Sequence, residues 1–268
     1  MSEQRIGEPI TVLAVKVKGR EVRVSFSNGE KIVFSVDSFT DFHLYAGKEV
    51  SDEEMARIQH LSDQDQAYDY AIRRLSQDSY SVAEMRRKML AKGFDPKIVT
   101  GVIDRLTGMD LLDDKRFALT YAEDVGDLRC LGYHRIVYDL RVKGIGEDLI
   151  ATLSFPLENE KKKAERQAAV LDRRYYRTPY ARRILKINRA LLERGFDESV
   201  AHEASNKVAK APDPELERSE LEKAFALANA KYTKKYTGYE LSRHIYAFLV
   251  RKGFDYDEVK SIMEEHGL

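Results

Sequence analysis

With 268 residues, 43% apolar and 34% charged, the chain is long enough to bury a substantial core but unusually charged, as thin layers of helix are. Its formal net charge is zero, so total charge points to no partner, and its single cysteine, Cys130, excludes an internal disulfide and favours a reducing, cytoplasmic setting. No apolar run approaches the roughly 18–20 residues of a membrane helix, and the N-terminus lacks the basic and apolar regions of a secretory signal.

Residues 10–36 hold three runs rich in Val, Ile and Phe, separated by Lys18-Gly19-Arg20 and Asn28-Gly29. Their alternation predicts antiparallel strands near 10–17, 21–27 and 30–36. Asn28-Gly29 predicts a hairpin turn with φ > 0 at both positions. A lone meander is marginal, so a following helix should cover one face. Helices are expected at 38–45 and 51–66, the second opened by a Ser51/Glu54 capping box. This module carries no recognisable chemistry and is acidic: residues 1–66 hold 8 Lys/Arg against 12 Asp/Glu.

Downstream, one phrase recurs four times, around Gly93, Gly144, Gly195 and Gly253, at spacings of 51, 51 and 58 residues. Such a period signals an array of supersecondary units. Four positions before each glycine stand Met89, Leu140, Leu191 and Leu249; eight before stand Met85, Ile136, Ile187 and Ile245. One before stand Lys92, Lys143, Arg194 and Lys252, and one after stand Phe94, Ile145, Phe196 and Phe254. The reading is a helix stopped by a left-handed glycine, with the next residue folded back on the last turn and a cation at the negative end of the helix dipole. Asp95, Gly146, Asp197 and Asp255 then cap the following helix, Pro96 taking its first position. Opening helices are expected at 65–77, 113–126, 159–175 and 217–234, completing twelve helices in four three-helix units. The units are placed at 63–110, 111–156, 157–211 and 212–268, after a β-rich module at 1–62, with a linker at 210–217. Three helices bury little alone, so neighbours must stack.

The first two units carry more than the joint. Tyr80-Ser81 with Glu84 precedes Lys92-Gly93-Phe94. Leu111-Leu112-Asp113-Asp114, Arg116-Phe117-Ala118, Gly132, Arg135-Ile136, Leu140 and Lys143-Gly144-Ile145 follow. This order resembles the RecX family of bacterial RecA regulators, strongly over 65–155 and by repeat continuation over 160–268. The chain is similar to the longer family form, with a β-rich extension and an extra unit. The resemblance implies a mainly α fold: tandem three-helix repeats in an extended right-handed-type array, with a small N-terminal antiparallel β module. It also implies a monomer without enzymatic activity or cofactor, acting in DNA repair, recombination and the SOS response. Such proteins bind RecA and the RecA–single-stranded DNA filament along its groove, limiting recombination and filament-stimulated repressor cleavage.

Charge gives a candidate surface. Residues 161–194 hold 12 Lys/Arg against three acids. Their centre reads DRRYYRTPYARR, where arginines suit phosphates and tyrosines offer stacking faces. Candidate partner- or phosphate-binding residues are Arg173, Arg174, Arg177, Arg182, Arg183 and Lys186, with Arg86, Arg87, Lys88 and Arg135 on earlier units. The bland reading is a solvated helix face answered by the acids of 213–222. The arginines at 173, 174, 182 and 183 are expected outside an apolar stripe of Ile184, Ile187 and Leu191. Tyr175, Tyr176, Tyr180, Tyr232, Tyr236 and Tyr239 are expected mostly in core or joint packing.

Other chemistry finds no support. The six histidines have no i,i+4 pairing, so no metal site is expected. Asp113-Asp114 reads as an N-cap rather than a catalytic pair. There is no phosphate-binding loop for nucleotide hydrolysis. Two readings stay open: a regulator lying along a RecA–DNA filament, and an autonomous nucleic-acid-binding array.

Overall fold

Alternating β-branched residues set the N-terminal register. β1 (Ile10–Lys18), β2 (Glu21–Phe26) and β3 (Lys31–Ser35) form the expected antiparallel meander. Val22 pairs with Phe34 and Val24 with Ile32, putting four buried side chains on one face. The hairpin differs from expectation. Gly29 has φ +88, but Asn28 does not take a positive φ. The Phe26 amide donates to Glu30 O at 2.9 Å, and Asn28 Oδ1 accepts from the Glu30 amide at 3.0 Å. The loop is therefore three residues long, and only its last position needs glycine.

The computed structural model describes residues 9–19, 21–208 and 213–268. These fall into two compact bodies, Met1–Phe117 with Lys143–Ile145, and Ala118–Val142 with Gly146–Leu268. The expected linker at 210–217 lies partly outside the described residues.

In the first body, α1 (Val36–Thr40) starts two residues before its expected position, because Ser35 Oγ accepts from the Ser38 amide and caps it there. A two-residue strand, β4 (Glu49–Val50), pairs with β1 and gives the sheet order β3-β2-β1-β4. The two helices expected at 51–66 and 65–77 are one, α2 (Asp52–Leu75). The Ser51/Glu54 capping box opens it, and no glycine or proline interrupts it. Its first half seals the sheet through Met55 and Ile58. Its second half places Ala67 and Ala71 against α3 (Val82–Lys92) and α4 (Pro96–Gly108). One helix thus serves two cores.

The remaining helices follow the expected plan of threes. α5 (Asp114–Thr120) continues through a π-helical turn, Tyr121–Val125, into α6 (Gly126–Leu128); α7 (Tyr133–Val142) and α8 (Glu147–Ile150) complete that set. A Cβ at Gly126 would meet Ile136 Cδ1 at 2.7 Å, so glycine lets α6 approach α7 closely. Next come α9 (Leu157–Arg174), α10 (Tyr180–Glu193) and α11 (Glu198–Val208). The last set is α12 (Pro214–Tyr232), α13 (Gly238–Lys252) and α14 (Tyr256–Glu265).

The joints form as expected. Gly93, Gly144, Gly195 and Gly253 have φ of +98, +84, +82 and +94. The Phe94, Phe196 and Phe254 amides reach back to Met89, Leu191 and Leu249 carbonyls, and the glycine amides bond Leu90, Leu192 and Val250 carbonyls. This is the double bond of a Schellman stop. All eight apolar residues four and eight before the glycines are fully buried. Asp95 and Asp255 each accept two amides of the helix they open, and Asp113 Oδ1 accepts from Lys115 and Arg116 amides.

Candidate partner-binding surface

A seam recurs wherever two helix triplets meet, and it decides which side chains remain free. In the first body the Val82 amide, first in α3, donates to Asp114 Oδ1 at 2.8 Å. In the second body the Tyr133 amide, first in α7, donates to Glu160 Oε2 at 2.8 Å, and the Tyr180 amide, first in α10, to Glu217 Oε1 at 2.7 Å. Each middle helix is thus capped by a carboxylate from the next triplet's opening helix. The same helix start lies against the next triplet's joint. A Cβ at Gly144 would meet Ala83 Cβ at 2.4 Å; at Gly195, Arg135 N at 2.2 Å; at Gly253, Arg182 Cβ at 2.7 Å. Ser81 Oγ also donates to Lys143 O at 2.6 Å, and the His134 amide to Gly195 O at 3.0 Å. These glycines therefore act twice, as left-handed stops and as clearance for a neighbouring helix.

The seams and local pairs absorb the start of the basic segment. Lys161 pairs with Glu203 at 2.7 Å, and buried Lys163 with Glu160 at 2.5 Å while donating to Leu131 O. Arg166 donates to Asp127 O. Lys161, Lys163 and Arg166 thus hold the fold together.

Around the α9–α10 turn the cations lie mostly outward, with one correction. Arg183 is only 6% exposed and pairs with Asp172 at 3.3 Å, so it lies inside the stripe with Ile187 and Leu191, where Ile184 was expected. Arg173, Arg174 and Arg177 are exposed around the α9–α10 turn. Tyr175 lies 5.9 Å from the Arg174 guanidinium and 5.1 Å from Lys186 Nζ, so that ring gathers two cations. Arg182 is exposed but reaches across to Arg251 O. Of the acids of 213–222, Glu222 and Glu220 pair with Arg218 and Lys223 within α12, while Glu217 reaches this turn and caps α10.

The earlier candidates scatter. Arg86 donates to Thr100 Oγ1 at 3.0 Å, Lys88 lies 5.1 Å from the Tyr80 ring, and Arg87 is exposed. Arg135 is held by Asp139 at 3.0 Å. Asp139 also accepts from the Tyr121 hydroxyl, whose burial pushes its pKa up to about 12 and keeps it a donor. Large apolar side chains share the outward face of α10 with its cations: Leu185 and Leu192 are exposed on either side of Arg189. Sequence reasoning missed the equivalent turn of the last triplet, where Lys231, Lys234 and Lys235 are exposed beside Tyr232 and Tyr236. The signal was the same interleaving of rings and cations, one repeat later. Among the described residues, no group of three His, Cys, Asp or Glu side chains is placed to hold a metal ion, and no helix is long and apolar enough to cross a membrane.

A tandem array of three-helix domains after a small antiparallel sheet is the class of protein this fold defines. Comparison makes this specific: residues 67–106 match the first three-helix domain of RecX and 218–263 match its third. Regulatory protein RecX of Limosilactobacillus reuteri is 31% identical over 225 residues, covering 83% of this chain and 85% of that protein. RecX of Lactococcus lactis subsp. cremoris is 28% identical over 262 residues, 95% of this chain and 97% of that one. A crystal structure of regulatory protein RecX superposes with a TM-score of 0.57 at 24% identity, over 74% of this chain and 99% of that one, which supports the fold. The chain belongs to the RecX family of regulatory proteins.

Proposed function

We propose that the protein binds RecA and the RecA–single-stranded DNA filament in the cytoplasm and limits recombinase and coprotease activities without catalysing a reaction itself. The observation that carries this is the α9–α10 turn, where Arg173, Arg174 and Arg177 stay exposed while neighbouring cations are consumed by the fold. Exposed cations beside exposed apolar residues on α10 suit a partner that is part protein and part phosphate. The repeat supports an extended contact rather than one recognition helix. We also propose unit boundaries at 62/63, 110/111, 156/157 and 211/212; the last falls outside the described residues.

The test is filament binding with and without RecA across a salt series. Changing Arg173, Arg174 and Arg177 to Ala should weaken binding and make the slope of log K against log salt shallower by about 0.7 for each phosphate left without its cation. Weaker affinity with an unchanged slope would place those arginines on acidic side chains of RecA. Tight, sequence-selective duplex binding by the protein alone would replace this reading with an autonomous nucleic-acid binder.

A further inference from the structure

The last triplet carries a surface that extends beyond its core. Leu221, Phe225, Leu241, Ile245, Leu249 and Phe254 are among the buried residues of that core, and Tyr232 and Tyr236 pack against it from the α12–α13 turn. At the α12–α13 turn, Tyr236 stacks on His244 with ring centroids 4.0 Å apart, and Tyr232 lies parallel to the same imidazole at 5.6 Å. Tyr239, on the first turn of α13, is 81% exposed. Three exposed lysines, 231, 234 and 235, sit within the same nine residues. The one nearby carboxylate with described partners, Glu240, lies 3.1 Å from Arg243 and 3.8 Å from His244. The lysine cluster is therefore left with a strong local excess of positive charge.

Flat rings and cations serve different parts of a ligand. A lysine cluster alone would suit an acidic protein or any phosphate. An exposed tyrosine beside an assembled ring stack has no use for a carboxylate, but every nucleobase has a π-face to lay on it. A duplex hides those faces in its own stack, so the rings favour unpaired bases. We propose that the α12–α13 turn is a stacking platform for single-stranded nucleic acid, with Tyr239 receiving a base and Lys234 and Lys235 receiving its flanking phosphates. It rests on the proposed filament reading only in that the strand offered is the filament's own.

The full-length protein and a fluorescein-labelled oligothymidine keep the two readings apart, because RecA is absent. Tyr239→Ala, at a position outside the core, should weaken oligothymidine binding about tenfold and leave duplex binding within twofold. Lys234→Ala with Lys235→Ala should flatten the salt slope by about 1.4. The chain has no tryptophan, so tyrosine emission is directly visible, and its quenching by the oligonucleotide should shrink in Tyr239→Ala. Equal losses for single strand and duplex would overturn the platform and leave a phosphate patch. Oligothymidine binding unchanged in both variants would overturn it outright. Neither result touches the filament reading, which stands or falls on Arg173, Arg174 and Arg177.

Discussion

Gly93 and Gly195 end the same kind of helix with the same backbone, yet their surroundings differ completely. Both have φ near +90, and both are followed by a phenylalanine folded back onto the final turn. A Cβ on Gly93 would meet nothing within 4 Å, whereas one on Gly195 would meet Arg135 N at 2.2 Å and Arg135 Cα at 2.8 Å. Gly93 belongs to the first triplet, and no earlier triplet presents a helix start to it. Instead the N-terminal module meets α2 through Asp65, whose carboxylate accepts the Ser35 amide and the Ser38 hydroxyl. That contact is also a carboxylate on a helix start, but without a glycine joint. A recurring phrase can thus be conformational at one copy and steric as well at the next.

The comparison sharpens most at Gly195. Gly195→Ala combines left-handed strain of about 1 kcal/mol with a collision against backbone, which cannot rotate away; together about 3–4 kcal/mol is expected. Thermal melting should show it as a lowered or split transition. A destabilisation no larger than that of Gly93→Ala would show that the seam does not constrain this joint.

Gly144→Ala should be intermediate. Its added Cβ collides with a single atom, Ala83 Cβ at 2.4 Å, whereas one on Gly195 collides with Arg135 N, Cβ and Cα at 2.2, 2.5 and 2.8 Å. Ala83→Gly removes that carbon. The double variant should recover about 1 kcal/mol beyond additivity, although glycine in α3 itself costs about 1 kcal/mol. Strict additivity in the double-mutant cycle would refute the contact.

Gly93→Ala should cost only the strain, about 1 kcal/mol, and leave filament binding intact.

The joints were legible because everything that makes them is local. A glycine, an apolar residue four before it and an aspartate two after it fit within one short phrase. The strands were legible for the same reason. The seams were not. Asp114, Glu160 and Glu217 perform one task but stand 30, 35 and 36 residues before their own joints, so no fixed spacing betrays them. Continuous α2 escaped because its first half packs on the sheet and its second on α3 and α4, so no single apolar stripe runs its whole length. The basic segment was half legible: charge counting finds its cations but not the Glu160 that neutralises Lys163 or the Asp172 that draws Arg183 into the core. Only exposure separates a phosphate-facing arginine from a structural one.

The smallest effect expected is at the third seam, and it concerns charge. Glu217 caps α10 there, but its carboxylate also faces Glu258 on α14. Burial, then repulsion from Glu217 and Asp255, raises the Glu258 pKa above its ordinary value, and its Oε2 has no hydrogen-bond partner among the described residues. A carboxyl whose folded pKa is raised favours the fold when protonated. That stability is fully present below the unfolded value and is lost as pH rises through the folded one. Glu258→Gln fixes the neutral form. It should raise the melting temperature by about 1–3 °C at pH 7, and the gain should vanish once pH falls below the ordinary value of 4.5. In a Glu217→Gln background the gain should shrink, because one of the two repelling charges is gone. A lower melting temperature for Glu258→Gln at pH 7 would mean that the ionised carboxylate stabilises the fold, and that the cap on α10 imposes no electrostatic cost on α14.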